Sequence, residues 1–327
     1  VRLPVSIVSP VRDCASAMPA HAAHLRKLAE VADEIIVVDS DSTDGTLEIL
    51  KKELEGLGVI FLNHPPGLYQ SWNFGIAAAT QPYCTVASVG DNLPVESLRK
   101  LTATMERFEA DVVVSAPLMI ADGDQASKRI WPIHRVITAA KITEPREISG
   151  AAWLAITLGY FPASLISSSA GNLYRTKLLQ ENPFPTEFGH AGDCAWALQM
   201  SRVAKWVIDP TVKSYFWVHA VSAHRKKRSE DRAKAMNRMV NGLFADSENF
   251  LREHGVPNEL LDLLRQASDQ MLEKAMLQIR YAEIRRKVLP WFLHPESVRV
   301  KRGRKSIEAK IQHRLAETLR FAASLSP

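Results

Sequence analysis

Cysteine is scarce: the 327 residues include only Cys14, Cys84 and Cys194. Three widely spaced thiols without a Cys-x-x-Cys pair make neither a disulfide framework nor a zinc site, so a reducing compartment is expected. No apolar run approaches the about 18 to 20 residues that span a bilayer. No basic and apolar leader precedes the strand-like Val5–Ser9, and a cytoplasmic protein is the expectation. An excess of one charge is lacking too: 41 Lys and Arg against 36 Asp and Glu leave +5. Without a recognisable binding fold, nucleic acid is not an expected partner. The hydrophobic fraction of 46% and charged fraction of 24% are ordinary for a globular chain, and the length suits roughly two domains.

The first 117 residues alternate between two periods. Val5–Ser9, Glu34–Asp39, Val59–Leu62, Tyr83–Ser88 and Val112–Ala116 read as short buried strands. Ala20–Val31, Thr46–Glu55, Leu68–Ala79 and Pro94–Phe108 read as the helices between them. Successive β-α units predict an α/β fold, a mostly parallel sheet with helices on both faces and ligands at the carboxyl ends of its strands. Residues 121–170 lose this regularity and read as an acceptor-side insertion. A strand at Gly171–Arg175, a helix from about Gly192 to Val203 and a strand at Thr211–Trp217 follow. From Arg225 the chain is helical and polar, with amphipathic stretches at Ser229–Glu253 and Glu259–Leu289 ended by Pro290.

Chemistry-bearing residues follow strands. Asp39-Ser-Asp-Ser-Thr-Asp-Gly-Thr46 empties acids and hydroxyls into a turn. Ser42, Thr43 and Asp44 suit capping of the next helix, and Asp39, at a strand end, is a candidate acceptor of hydrogen bonds from a base or ribose. Asp91 ends a later strand and is a candidate either for a divalent ion or for helix capping. Gly192-Asp193 heads a helix, so Asp193 reads either as a cap or as a base.

Val38-Asp39-x-x-Ser42-Thr43-Asp44-Gly45-Thr46 resembles the signature of family 2 nucleotide-sugar glycosyltransferases, whose fold is GT-A. Ser9-Pro-Val-Arg-Asp13, Ser71-Trp-Asn-Phe-Gly75, Tyr83–Pro94, Ser169–Arg175 with Pro183-Phe184, and Gly192-Asp193 with Trp196 are similar to further family elements in the same order. The resemblance covers residues 4 to about 225. It implies a GT-A domain over 1–225, with a nucleotide-binding half at 1–117 and an acceptor-side half at 118–225, followed by a helical extension over 226–327. It also implies an inverting, non-processive transferase using a nucleoside-diphosphate sugar and a carbohydrate or lipid-linked acceptor. Asp39 would contact the base, Pro10 and Arg12 would line its pocket, Trp72 and Asn73 would shape the ribose side, and Asp193 would be the catalytic base, with Trp196 one helical turn away to stack on the acceptor. Mn2+ or Mg2+ would bind Asp91 and His219. Yet the family's Asp-x-Asp reads Ser88-Val-Gly90 here, leaving one carboxylate at Asp91.

Arg225, Lys226, Lys227 and Arg228 form a basic run suited either to a solvated face or to neutralising the departing diphosphate. Arg280, Arg285, Arg286, Lys287, Arg299, Lys301, Arg302, Arg304, Lys305, Lys310 and Arg314 concentrate positive charge in the extension around Trp291, Phe292 and Leu293. Such a stretch suits a solvated face, an oligomer contact or peripheral binding to an anionic membrane. Two alternatives stay open: a nucleotide-binding homologue without catalysis, and a haloacid-dehalogenase-like phosphatase, whose Asp-x-Asp-x-Thr motif Asp39–Thr43 also fits.

Overall fold

A computed structural model describes residues 2–121, 125–126, 130–217, 230–287 and 295–326. Its strands are β1 (Leu3–Val11), β2 (Ala32–Asp39), β3 (Ile60–Asn63), β4 (Tyr83–Val86), β5 (Asp91–Asn92), β6 (Val112–Val114), β7 (Leu118–Ala121), β8 (Gln125–Ala126), β9 (Arg146–Ile148), β10 (Asn172–Arg175), β11 (Trp206–Ile208) and β12 (Tyr215–Trp217). Its helices are α1 (Met18–Ala29), α2 (Thr46–Glu53), α3 (Leu68–Ala78), α4 (Val95–Phe108), α5 (Pro132–Ala139), α6 (Gly150–Tyr160), α7 (Thr176–Glu181), α8 (Gly192–Gln199), α9 (Glu230–Glu253), α10 (Asn258–Arg265), α11 (Ala267–Lys287) and α12 (Pro295–Ser324).

The large sheet runs β3-β2-β1-β4-β10-β6-β11-β9. Its first four strands are parallel, β10 is antiparallel to both neighbours, β6 and β11 are parallel, and β9 is antiparallel. Both faces are covered, which is why β1 and β2 read as nearly continuous apolar runs. Val5, Ile7 and Val37 pack with Met18, Leu25 and Leu28 of α1, Leu50 of α2 and Leu98, Leu101 and Met105 of α4. The alternate residues Val8, Ile36 and Val38 turn to the other face, against α3, α6 and α8. A smaller sheet, β5-β12-β7-β8, carries Asp91 opposite Phe216.

The nine expected strands and helices of the first 117 residues are present, with ends shifted by up to two residues. The described residues of the irregular region form regular elements as well. Within it α6 is buried from Ala151 to Tyr160 and stacks Trp153 on Trp206 at 4.0 Å. A helix apolar on every side has no amphipathic signature. β11 was hidden because three residues carry no period.

The expected boundary near 225 does not separate two cores. Met236, Val240, Phe244, Leu251, Phe321 and Ala322 belong to the same buried cluster as Trp153, Tyr174 and Trp196. The second amphipathic stretch divides into α10 and α11 at Gln266. Pro290, Trp291, Phe292 and Leu293 lie outside the described residues. Among the tail cations, Arg314 is fully buried: its guanidinium donates to the Gly159 carbonyl at 3.1 Å, the Phe161 carbonyl at 2.9 Å and Gln270 Oε1 at 2.7 Å. No helix among the described residues is long and apolar enough to cross a membrane.

Arg314→Ala leaves two carbonyls and a glutamine unpaired in the interior. We expect it to destabilise the protein by about 3 kcal/mol, read as a lower urea midpoint with one transition for the whole chain.

Candidate functional site

β1 and β2 end side by side, with Val11 in register with Asp39, so the segments that follow share one edge. They are stitched together: Asp13 N–H donates to Ser42 Oγ at 3.0 Å, Thr43 N–H to Asp13 Oδ1 at 2.9 Å, Cys14 N–H to Thr46 Oγ1 at 2.8 Å and Ala15 N–H to Asp44 Oδ2 at 2.9 Å. The expected capping is therefore corrected. Gly45, at φ +91°, precedes α2 without a side-chain cap, while Ser42 and Thr43 tie down the neighbouring loop. Asp44 does both, accepting from Thr46 N–H and Oγ1–H at the start of α2 as well as from Ala15, and these bonds hold its carboxyl below the usual range.

Asp39 is buried at this junction. Its Oδ2 accepts from Ser42 N–H at 3.1 Å, whereas Oδ1 has no hydrogen-bond partner. Pro10 is half-buried and in register with Val38, and Arg12 is exposed with Nε 3.5 Å from Asp13. Behind the loops, His21 Nε2 and Ser9 Oγ are 2.7 Å apart, and His24 Nε2 accepts from Leu93 N–H at 3.3 Å. Burial lowers both imidazoles to about 4, helped by His24 beside His21 and Lys27 beside His24.

Asp91 is buried, and its carboxylate is fully engaged. Ser168 Oγ donates to Oδ1 at 2.7 Å, Ser169 Oγ to Oδ2 at 2.6 Å and Ser88 N–H to Oδ2 at 3.3 Å. Burial nevertheless raises its carboxyl to about 6, the serine bonds opposing that rise. The helix-cap alternative does not hold, since α4 is preceded by Pro94. Trp217 N–H bonds to Gly90 O at 2.8 Å, so β12 leads directly past Asp91; His219, Arg225, Lys226, Lys227 and Arg228 lie outside the described residues.

Three side chains expected at the ligand have partners within the fold. Trp72 is buried edge-on to Tyr69 and Phe184, at 5.2 and 5.4 Å. Asn73 exchanges two hydrogen bonds with the Phe184 backbone, Nδ2–H to O and N–H to Oδ1, both 2.9 Å. Trp196 is fully buried among Tyr174, Phe184 and Trp206, with its indole N–H on Asn182 O at 2.6 Å. It therefore presents no face to an acceptor. The reason is that α8 is buried on nearly every side, from Cys194 to Leu198, so the side chain one turn beyond Asp193 enters the core.

Asp193 occupies the first turn of α8, but the cap position is Ala191. Its Oδ1 accepts from Cys194 N–H at 2.7 Å. Burial raises its carboxyl to about 6, against bonds from Cys194 N–H and the Tyr69 hydroxyl. Asp39 thus ends β2 with an unpartnered oxygen, and Asp193 opens α8 with raised basicity.

The model of the family described as glycosyl transferase family 2 matches residues 6–180. The chain belongs to this family. No curated protein matches it in sequence. Solved structures share its fold. Staphylococcus aureus TarS 1–349 with UDP-GlcNAc is 15% identical, with a TM-score of 0.57, covering 98% of this chain and 90% of its own. TarS 1–349 with UDP gives 15% and 0.55 at the same coverage. The Pyrobaculum calidifontis mannosyltransferase PcManGT, in complex with GDP-Man and Mn2+, gives 16% and 0.51 over 99% and 87%. The fold likeness thus extends through the helical extension.

Family membership removes the phosphatase alternative; Asp39 also ends the second strand in the chain. The described residues do not fit a protein-held divalent ion. No group of three His, Cys, Asp or Glu converges among them, and both Asp91 oxygens carry serine donors. Sequence reasoning missed Ser168 and Ser169, though the run Ser167-Ser-Ser169 was visible, and Tyr69, for which no local signal exists.

The buried groups make opposite contributions to stability with pH. The histidines, near 6.5 when unfolded and about 4 when folded, stabilise fully above 6.5 and lose that effect as pH falls through 4. Asp193, near 3.8 unfolded and about 6 folded, favours folding when protonated and loses that effect as pH rises through 6. Asp193→Asn removes the second trend. This variant should lose stability more steeply than wild type between pH 6.5 and 4, measured as denaturation midpoints.

Proposed function

We propose that the chain transfers a sugar from a nucleoside-diphosphate sugar to an acceptor hydroxyl with inversion, one sugar per encounter. The observation that carries this reading is the pair of dissimilar acids: Asp39 with a buried, unpartnered oxygen on the donor edge, and Asp193 with raised basicity beyond it. A nucleobase N–H supplies the donor that Asp39 lacks. The UDP, UDP-GlcNAc and GDP-Man of the structural neighbours support uracil or guanine. The acceptor oxygen loses its proton to Asp193 as it bonds to the anomeric carbon, and the nucleoside diphosphate leaves with the electron pair of the broken C–O bond. The basic run Arg225–Arg228 is our candidate for neutralising it. A carbohydrate or lipid-linked hydroxyl fits as acceptor.

Calorimetric titration with UDP and GDP tests the donor half. Asp39→Ala should weaken binding by at least about 1 kcal/mol, roughly fivefold, in a folded protein; unchanged affinity would remove Asp39 from the base pocket.

Asp193→Asn tests the chemistry. It should keep nucleotide affinity and lower donor turnover by about 10² to 10⁴. A second reading, nucleotide binding without catalysis, is favoured by the serine-locked Asp91. It gains if the wild type binds nucleotide yet turns over neither UDP-GlcNAc nor GDP-mannose with any sugar acceptor.

A further inference from the structure

We infer that the outer face of α12 is a docking surface for an anionic bilayer. The helix is two-sided. Val300, Ile307, Ile311, Thr318 and Phe321 recur at helical spacing and are buried, which lays α12 along α5, α6, α10 and α11. Away from that seam it carries Arg299, Arg302, Lys305 and Lys310, all exposed. At 1.5 Å per residue these four cations are spread over about 16 Å of one helix.

The protein does not neutralise this charge itself. The acids of α12 are Glu296, Glu308 and Glu317, and each is turned to a partner: Glu296 to Arg280 at 2.5 Å, Glu308 to Lys274 at 3.7 Å, and Glu317 to His313 at 3.8 Å and to Arg320. None of the four outer cations has an ion-pair partner among the described residues. Residues 280–310 hold ten Lys and Arg against three Asp and Glu, while the whole chain nets only +5. Everything outside this stretch is therefore acidic on balance. A field confined in this way and screened within about 8 Å at physiological salt selects a partner that is itself extended and densely anionic.

Two kinds of polyanion meet that description, and the packing of α12 separates them. A helix that reads nucleic acid must protrude far enough to enter a groove about 12 Å wide, whereas α12 lies flat on four other helices and offers a broad plane. A bilayer surface is planar too. Its headgroup region also accepts the small apolar side chains on the same face, Val298, which is 42% exposed, with Ala309 and Ala316. Each cation near an anionic membrane surface gains roughly fivefold in partitioning. The proposal stands apart from the transfer reaction; together with it, docking brings the chain to lipid-borne acceptors.

Flotation of the full chain with phosphatidylcholine vesicles containing about 30% phosphatidylserine tests the surface. Binding should appear at about 0.05 M salt, weaken at least about tenfold at 0.5 M, and be absent with phosphatidylcholine alone. Arg302→Gln with Lys305→Gln should weaken it by about 25-fold, with the melting temperature unchanged because both side chains are exposed. Lys51→Gln with Lys52→Gln removes the same charge from the exposed side of α2 and should bind as wild type does. No binding to the mixed vesicles at low salt, or equal losses in the two double variants, overturns the proposal. Tighter binding, per anionic charge, to a DNA duplex of about 20 base pairs overturns it in favour of nucleic acid.

Discussion

The close approach of α3 to the parallel strands governs how the two halves of the protein meet. A Cβ at Gly75 would lie 2.5 Å from Val8 Cγ1 and 2.8 Å from Val38 Cγ2, so the helix sits on β1 and β2 at a distance that larger residues forbid. From that seat Asn73 clamps the Phe184 backbone, Trp72 and Tyr69 build the aromatic cluster around Phe184, and Ser71 Oγ meets Ser40 Oγ at 2.7 Å just beyond Asp39. One helix therefore touches the donor edge with Ser71 and the acceptor half with Asn73 and Tyr69. The Ser-Trp-Asn-x-Gly motif that resembles the family signature builds this packing.

Asp39 and Asp193 differ because their surroundings differ. Asp39 lies at the open end of a strand, with one oxygen satisfied by the following turn. Asp193 is held by a helix N–H and shielded enough that burial outweighs its hydrogen bonds, leaving the carboxyl near 6. A base of that strength is ionised at neutral pH yet still takes a proton as a hydroxyl reacts. Asp91 is more deeply buried and has three donors within 3.3 Å, which makes it a tie between β5 and the 168–169 turn.

The helical extension completes the same core. Phe321 and Ala322 pack in the cluster that contains α6, and Arg314 satisfies the carbonyls where α6 ends. An arginine at that depth is tolerated because all three of its bonds go to fixed acceptors. The charge of the tail is therefore divided between interior and surface: Arg280 pairs with Glu296, and Arg304 lies over Tyr281 at 5.6 Å.

The sequence alone determined the β-α alternation of residues 3–114, because strands buried on both faces and amphipathic helices leave opposite periods in the chain. It also determined that Asp39 ends a strand, whereas Asp91, expected to end one, instead opens the two-residue β5 of the smaller sheet. Tertiary structure decided the rest. Whether Trp72 and Trp196 meet ligand or core depends on which side of α3 and α8 faces the sheet, a rotation that composition does not encode. The three donors on Asp91 come from residues up to 78 positions away, and Tyr69 lies against Gly192 across a still longer loop of chain. Such contacts depend on how close two elements pack, here set by Gly75 and Gly192, and only the assembled fold determines that distance.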